Sequence, residues 1–83
     1  SPKDALPRLQ KALELLTDAD FSTADTIKSA VWDYAEEVGR GELLWPLRVS
    51  LTGRERSPDP FTCAFVVGKE EALLRIQSIL NSI

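Results

Sequence analysis

The sequence predicts an all-α fold, a compact bundle of about five helices in one domain of 83 residues. Apolar residues recur every three or four positions over long stretches of the chain, which is the period of an amphipathic helix. Glycine and proline residues divide these stretches into pieces of helical length. One segment alternates apolar and polar residues, but an isolated strand would leave its backbone groups unpaired.

The first predicted helix runs from about Asp4 to Thr17. Pro7 is expected in its first turn, where a missing N–H has little effect. The apolar stripe of this helix comprises Leu6, Leu9, Ala12, Leu13, Leu15 and Leu16. Such a stripe predicts a helix that packs one face against a core.

The second predicted helix begins after a Ser22 or Thr23 cap and ends at Gly39 and Gly41. Trp32 is out of phase with its apolar stripe and is expected to wrap a neighbouring segment or to lie at a domain boundary. The stripe comprises Ile27, Ala30, Val31, Tyr34, Ala35 and Val38.

Residues 42–53 fit two patterns. Leu47, Val49 and Leu51 alternate with polar residues like a strand, whereas the leucines of the segment also fit one helix face that starts near Pro46 and stops at Gly53. Because no second strand is available for pairing, the pattern slightly favours a helix.

The remaining chain predicts a loop and two helices. Residues 54–60 form a charged loop that Pro58 and Pro60 stiffen. Residues 61–67 are an apolar run in which Cys63 is expected to be a buried small hydrophobe. After Gly68, the charged residues 69–71 open the last amphipathic helix.

The composition excludes several chemistries. The chain has no histidine and one cysteine, so a Ser-His-Asp or Cys-His arrangement, a disulfide within the chain and a cysteine-held structural zinc are all impossible. No spacing of the carboxylates suggests a catalytic pair. We therefore expect neither catalytic residues nor a metal site.

The charge distribution contains one positive stretch. The net charge of −3 argues against nonspecific nucleic-acid binding. Residues 40–56, however, carry Arg40, Arg48, Arg54 and Arg56 against two glutamates. Since a guanidinium can grip phosphate or stack on a base, the stretch suggests local RNA contacts, with a solvated cluster of chance origin as the alternative.

Three ordered motifs lie between residues 45 and 73. Residues 45–53 read WPLRVSLTG, residues 54–61 read RERSPDPF and residues 68–73 read GKEEAL. Together they resemble the C-terminal anticodon-binding subdomain of bacterial-type glutamyl-tRNA synthetases. In that family a Pro-Leu-Arg-x-Ala-Leu-Thr-Gly stretch precedes a proline-bearing loop, a short helix and a Gly-Lys-Glu helix start. The resemblance is close over residues 39–80 and unspecific over residues 1–38.

The resemblance implies an all-helical cage, with residues 43–53 helical, in a class I glutamate–tRNA ligase. We expect residues 1–83 to be one C-terminal subdomain of that larger enzyme, non-catalytic by itself and without a cofactor. The parent would use ATP with magnesium. The implied partners are the tRNA(Glu) anticodon loop and the parent's catalytic domain, with no membrane. We expect a cytoplasmic monomer.

The family's anticodon contacts fall on Arg48, Ser57, Pro58 and Pro60 by this resemblance. Unpaired anticodon bases can be read on their edges, and Arg48 can donate two hydrogen bonds or stack beneath a base. Charge alone adds Arg54 and Arg56 as phosphate contacts. The chain departs from the family pattern at Ser50, where alanine is common. Pro60 has no N–H, so a contact through that donor is excluded.

Three alternatives remain open from the sequence. Arg48 could be structural and paired with Glu42 or Glu55. Trp45 and Phe61 are expected in the core rather than as stacking platforms. The chain could also be a helical protein-interaction module without RNA binding, in which Trp32 and Trp45 anchor a partner.

Overall fold

The computed structural model describes residues 2–53 and 59–82, with side chains from Ala5 onward. It contains five helices and no strand in these ranges, which confirms the predicted all-α fold. None of the described helices is long and apolar enough to cross a membrane. The helices are α1 (Pro2–Thr17), α2 (Ala24–Val38), α3 (Arg40–Thr52), α4 (Pro60–Val67) and α5 (Lys69–Ser82).

Helix α3 is the centre of the bundle. It packs against each of the other four helices, which contact one another in the order α1, α2, α4, α5 and back to α1. Among the described residues, α1 does not pack against α4, and α2 does not pack against α5. The four outer helices therefore form a closed ring around α3.

The inner face of α3 follows the helical period. Its buried residues lie three, four, seven and eight positions after the first one, which is the spacing of one helix face. The segment that fitted both patterns is thus a helix, and this period buries Leu43, Leu47 and Leu51 against four neighbouring helices. The buried residues of α3 are Leu43, Pro46, Leu47, Ser50 and Leu51.

The outer helices contribute short apolar rows to the same core. Each row repeats at three- or four-residue spacing, as the sequence predicts for α1 and α2. Leu6, Leu13, Leu15 and Tyr34 are only half-buried and flank these rows. The fully buried residues are Leu9, Ala12 and Leu16 in α1, Ile27, Val31 and Ala35 in α2, Phe61 and Ala64 in α4, and Ala72 and Ile76 in α5.

Helix α2 begins with a capping box. The Thr23 hydroxyl accepts from the N–H of Thr26 at 3.0 Å, and the Thr26 hydroxyl accepts from the N–H of Thr23 at 3.2 Å. The two side chains satisfy donors that the first helical turn leaves free. Thr23 is therefore the cap, rather than Ser22, whose N–H bonds Asp20.

Two helix boundaries differ from the sequence prediction. Helix α1 begins at Pro2, so Pro7 lies in its second turn rather than its first. Gly39, with φ of 103°, makes the turn between α2 and α3 alone, and Gly41 is already helical. Pro46 consequently lies inside α3. In each case a residue that locally favours a break lies within a helix.

The C-terminus of α3 is fixed from two sides. Gly53, with φ of 75°, takes the left-handed conformation and its N–H donates to the Val49 carbonyl at 2.8 Å. Arg75 of α5 donates to the Leu51 carbonyl at 2.7 Å and to Glu71 at 2.6 Å. The hydrogen bond with Glu71 raises the pKa of Arg75. Its positive charge is favourable at the C-terminal end of a helix.

The single cysteine lies at the same place. Cys63 is half-buried rather than fully buried, and its thiol lies 3.5 Å from the Leu51 carbonyl oxygen. Arg75 Nη1 is 4.0 Å from the sulfur. The thiol thus packs as a small side chain between α3 and α5.

Gly53→Ala and Gly41→Ala form a matched pair that tests this helix end. A Cβ meets no atom within 4 Å at either position, so only the backbone conformation distinguishes them. Because left-handed φ is unfavourable for alanine, Gly53→Ala should lower the free energy of unfolding by about 1 kcal/mol. Gly41→Ala should raise it by roughly 0.5 kcal/mol. Urea unfolding followed by far-UV circular dichroism measures both, and equal changes would contradict the assignment.

Candidate nucleic-acid interface

An open groove lies where α2, α3 and the start of α4 meet, and we call it the Arg48 groove. It encloses about 310 Å³. Two cations and an indole ring form its sides, and the first residues of α4 form its end. The lining residues are Lys28, Trp32, Leu44, Arg48, Asp59, Pro60 and Phe61.

Arg48 is half-buried, and its Nε atom is buried without a hydrogen-bond partner among residues 2–53 and 59–82. The alternative that pairs it with Glu42 does not hold, because Glu42 lies 3.6 Å from Arg8 on α1. Glu55 lies outside the described residues. Buried donors in native proteins nearly always have a partner, so an unpaired Nε in an arginine whose side chain lines an open groove makes Arg48 a candidate ligand-binding residue.

The α2 side of the groove carries a cation held on an aromatic ring. Lys28 Nζ lies 4.5 Å from the centroid of the Trp32 ring, one helical turn further along. Trp32 is half-buried and packs against the core. Arg40 approaches the same ring at 5.7 Å but pairs with Glu36 at 3.4 Å. The groove therefore has one cation on each of two helices, Lys28 on α2 and Arg48 on α3.

The α4 end of the groove is defined by its N-terminal cap. Asp59 Oδ1 accepts from the Phe61 N–H at 2.9 Å, and Pro60 occupies the first helical position, where its missing N–H is not needed. Phe61 is 3% exposed and belongs to the core, as the sequence predicts. The cap fixes the direction in which the chain enters α4.

The structure brings together two of the residues that the sequence singled out. Arg48 and Pro60 both line the Arg48 groove. Arg54, Arg56, Ser57 and Pro58 lie outside the described residues, so their roles stay predictions. Asp59, the first described residue after them, lines the groove.

Sequence reasoning missed two residues of this groove. Lys28 and Trp32 lie on α2, some distance from the motif in sequence. The sequence signal for this wall of the groove is that Trp32 lies out of phase with the apolar stripe of α2. A large ring at the flank of the stripe is expected to contact a neighbouring segment as well as the core. A lysine four residues before Trp32 lies on the same side of the helix.

Trp45 is not in the core, contrary to the sequence prediction. It is 46% exposed and lies on nearly the opposite side of α3 from the buried leucine row. It lines a second, apolar groove with residues of α1 and α5, including Leu6 and Ile79. Trp32 and Trp45 thus line different grooves, which does not favour a single protein-docking face that uses both.

A helical bundle with an unpaired arginine, a lysine and an indole ring in one open groove has the features of a small nucleic-acid-binding domain. The family model of the anticodon binding domain matches residues 1–80. The chain therefore belongs to the family of anticodon-binding domains.

The chain is also similar to curated proteins. Over 77 residues it is 40% identical to glutamate–tRNA ligase of Xanthomonas oryzae pv. oryzae, which covers 90% of the chain and 16% of that protein. Over 80 residues it is 30% identical to glutamate–tRNA ligase of Clostridium acetobutylicum, which covers 93% of the chain and 16% of that protein. The chain spans only about a sixth of these relatives. No solved structure matches it.

The orphaned nitrogen of Arg48 makes a prediction about stability. A buried unsatisfied donor costs about 1–3 kcal/mol, so Arg48→Met should raise the free energy of unfolding by roughly 1 kcal/mol. Arg75→Met is the matched control and should lower it, because Arg75 holds the Leu51 carbonyl. Thermal and urea unfolding measure both variants. A loss of stability in Arg48→Met would instead make Arg48 a structural residue.

Proposed function

We propose that the chain is the anticodon-binding part of a glutamate–tRNA ligase and that the Arg48 groove receives an unpaired base of the tRNA(Glu) anticodon loop. The family membership and the relatives named glutamate–tRNA ligase support this proposal. ATP-dependent attachment of glutamate would occur elsewhere in such an enzyme. The domain would then act in the cytoplasm, as one copy per enzyme.

The observation that carries the proposal is the position of Arg48. The motif resemblance points to this arginine, and its buried Nε lacks a partner among the described residues while its side chain lines an open groove. A base presents carbonyl oxygens and ring nitrogens that accept hydrogen bonds. The Arg48 guanidinium, whose side chain lines the groove, would donate hydrogen bonds to such acceptors.

The groove suits an unpaired base better than a duplex. An unpaired base can leave its stack and enter a recess about the size of a few side chains, whereas the deep, narrow major groove of an RNA helix hides its base edges. The Arg48 groove encloses about 310 Å³ and combines apolar, aromatic and cationic walls. These walls offer both the face contact and the edge contact by which single-stranded RNA is recognised.

Residues 54–58, which join α3 to α4, would contribute further contacts. Asp59, which follows them in the chain, lines the Arg48 groove. We propose that Ser57 and Pro58 contact bases and that Arg54 and Arg56 contact phosphates. A proline-bearing segment presents its backbone groups with little loss of entropy on binding.

Arg48→Ala tests the proposal through sequence discrimination. The 83-residue chain would be titrated with a glutamate anticodon stem-loop and with a scrambled loop on the same stem, at low salt. Loss of charged hydrogen bonds to a base edge should weaken cognate binding by about 1–3 kcal/mol, roughly fivefold to 150-fold, and the scrambled loop far less. Arg8→Ala, which removes an arginine from α1 outside the groove, is the control.

Chemical-shift mapping by NMR supplies the location in the same titration. Cognate RNA should shift the amides of residues 47–49, 53, 59 and 61, and the scrambled loop should shift them less. Equal affinity of the wild type for both loops, or an Arg48→Ala variant that behaves like Arg8→Ala, would contradict base recognition by this groove.

A further inference from the structure

We propose that Lys28 of α2 binds the phosphate next to the base that Arg48 contacts, and that the Trp32 ring holds the lysine in place for this purpose. The inference rests on the proposed function but concerns a helix outside the motif that suggested it. In this inference the α2 wall of the Arg48 groove binds the phosphate backbone of the RNA.

Lys28 differs from four of the other described cations of the bundle, which have a carboxylate or carbonyl partner. Arg8, Arg40 and Arg75 each pair with a glutamate. Lys69 donates to the Ala19 carbonyl at 2.9 Å. Among residues 5–53 and 59–82, no carboxylate lies within ion-pair distance of Lys28, and its ammonium lies over the Trp32 ring instead.

The ring restricts where the ammonium can lie. Trp32 packs against the core through a half-buried side chain, so its position is fixed by the fold rather than by the surface. An ammonium 4.5 Å from the ring centroid is attracted to the ring face yet keeps its donors available. The cation is therefore placed at the groove edge before any ligand arrives, which reduces the entropy lost on binding.

The charged groups around the groove suit Arg48 to contact with a base and Lys28 to contact with a phosphate. Arg48 has a planar, forked donor suited to a base edge, whereas the lysine ammonium is a point charge suited to phosphate. Asp59 lines the α4 end, and its carboxylate would repel a phosphate there. A bound strand would therefore place its base toward Arg48 and its backbone along α2, next to Lys28.

Lys28→Ala should weaken RNA binding without changing sequence discrimination, because phosphate contacts carry no sequence information. Each phosphate contact to a single strand changes the slope of log K against log salt by about 0.7. Loss of one contact should thus weaken binding about 2.6 times more strongly at 50 mM salt than at 200 mM, for cognate and scrambled loops alike. Fluorescence anisotropy of labelled stem-loops over this salt range measures both the affinity and the slope.

Lys11→Ala is the matched control. Lys11 is an exposed lysine on α1, outside the groove, and its removal changes the net charge by the same amount. It should leave the slope unchanged. Lys28→Arg keeps the charge and should restore most of the affinity, which would show that the loss in Lys28→Ala is electrostatic rather than structural.

The outcomes separate this inference from the proposed function. If Arg48→Ala loses cognate binding while Lys28→Ala and Lys11→Ala have the same slope and affinity, the phosphate role of Lys28 is wrong and base recognition stands. If Lys28→Ala weakens only the cognate loop, the lysine contacts a base instead, and the inference is wrong in that form. If the wild type binds neither loop at 50 mM salt, both proposals fail together.

Discussion

Burial of the leucine row of α3 is the constraint on which the rest of the structure depends. Leu43, Leu47 and Leu51 are each at most 2% exposed and face four other helices. Full burial of a leucine contributes about 1.5–3 kcal/mol. Three such residues represent a large part of the roughly 5–15 kcal/mol that stabilises a typical domain, so a rotation or shift of α3 would unfold the bundle rather than adjust it.

The candidate site is rigid because of this burial. Arg48 follows Leu47 directly and lies at the flank of the buried row, so its stem packs at the edge of the core while its side chain lines the groove. Its Nε atom is buried and has no hydrogen-bond partner among the described residues. A functional donor is thus held in place at some expense of stability, as is common where a site must be ready before its ligand binds.

Much of this fold follows from local patterns in the sequence. The leucines of α1 and the apolar stripe of α2 identify their helices, and Thr23 and Gly53 begin or end helices for reasons of hydrogen bonding and φ alone. Local preference places Pro7 and Gly41 at boundaries because each weakens a helix. Both residues nevertheless lie within helices, and no local pattern reveals this. For residues 42–53 the local pattern fits two periods, and the contacts of α3 with four helices bear out the helical one.

The groove itself could be predicted only in part, since it depends on which helices touch. Arg48 belongs to a recognisable motif, whereas Lys28 and Trp32 approach it because α2 packs on α3 and α4. For Trp45 the sequence prediction was wrong. A tryptophan amid leucines suggests a core position, but its angular position on α3 places it away from the buried row. Residue type alone does not determine which side of a helix a residue occupies.

The acidic character of the chain is consistent with selective rather than general RNA binding. A net charge of −3 weakly repels any polyanion at long range, so an RNA gains nothing from approaching an arbitrary part of the surface. Within the groove the net charge is positive, because the lining residues include Lys28 and Arg48 and a single carboxylate, that of Asp59. One oxygen of this carboxylate already caps α4. Under the proposed function, only a strand that offers a base and a phosphate together would offset the repulsion. Selectivity would then come from a small positive recess in an acidic surface, and salt would weaken the attraction of the recess and the background repulsion together.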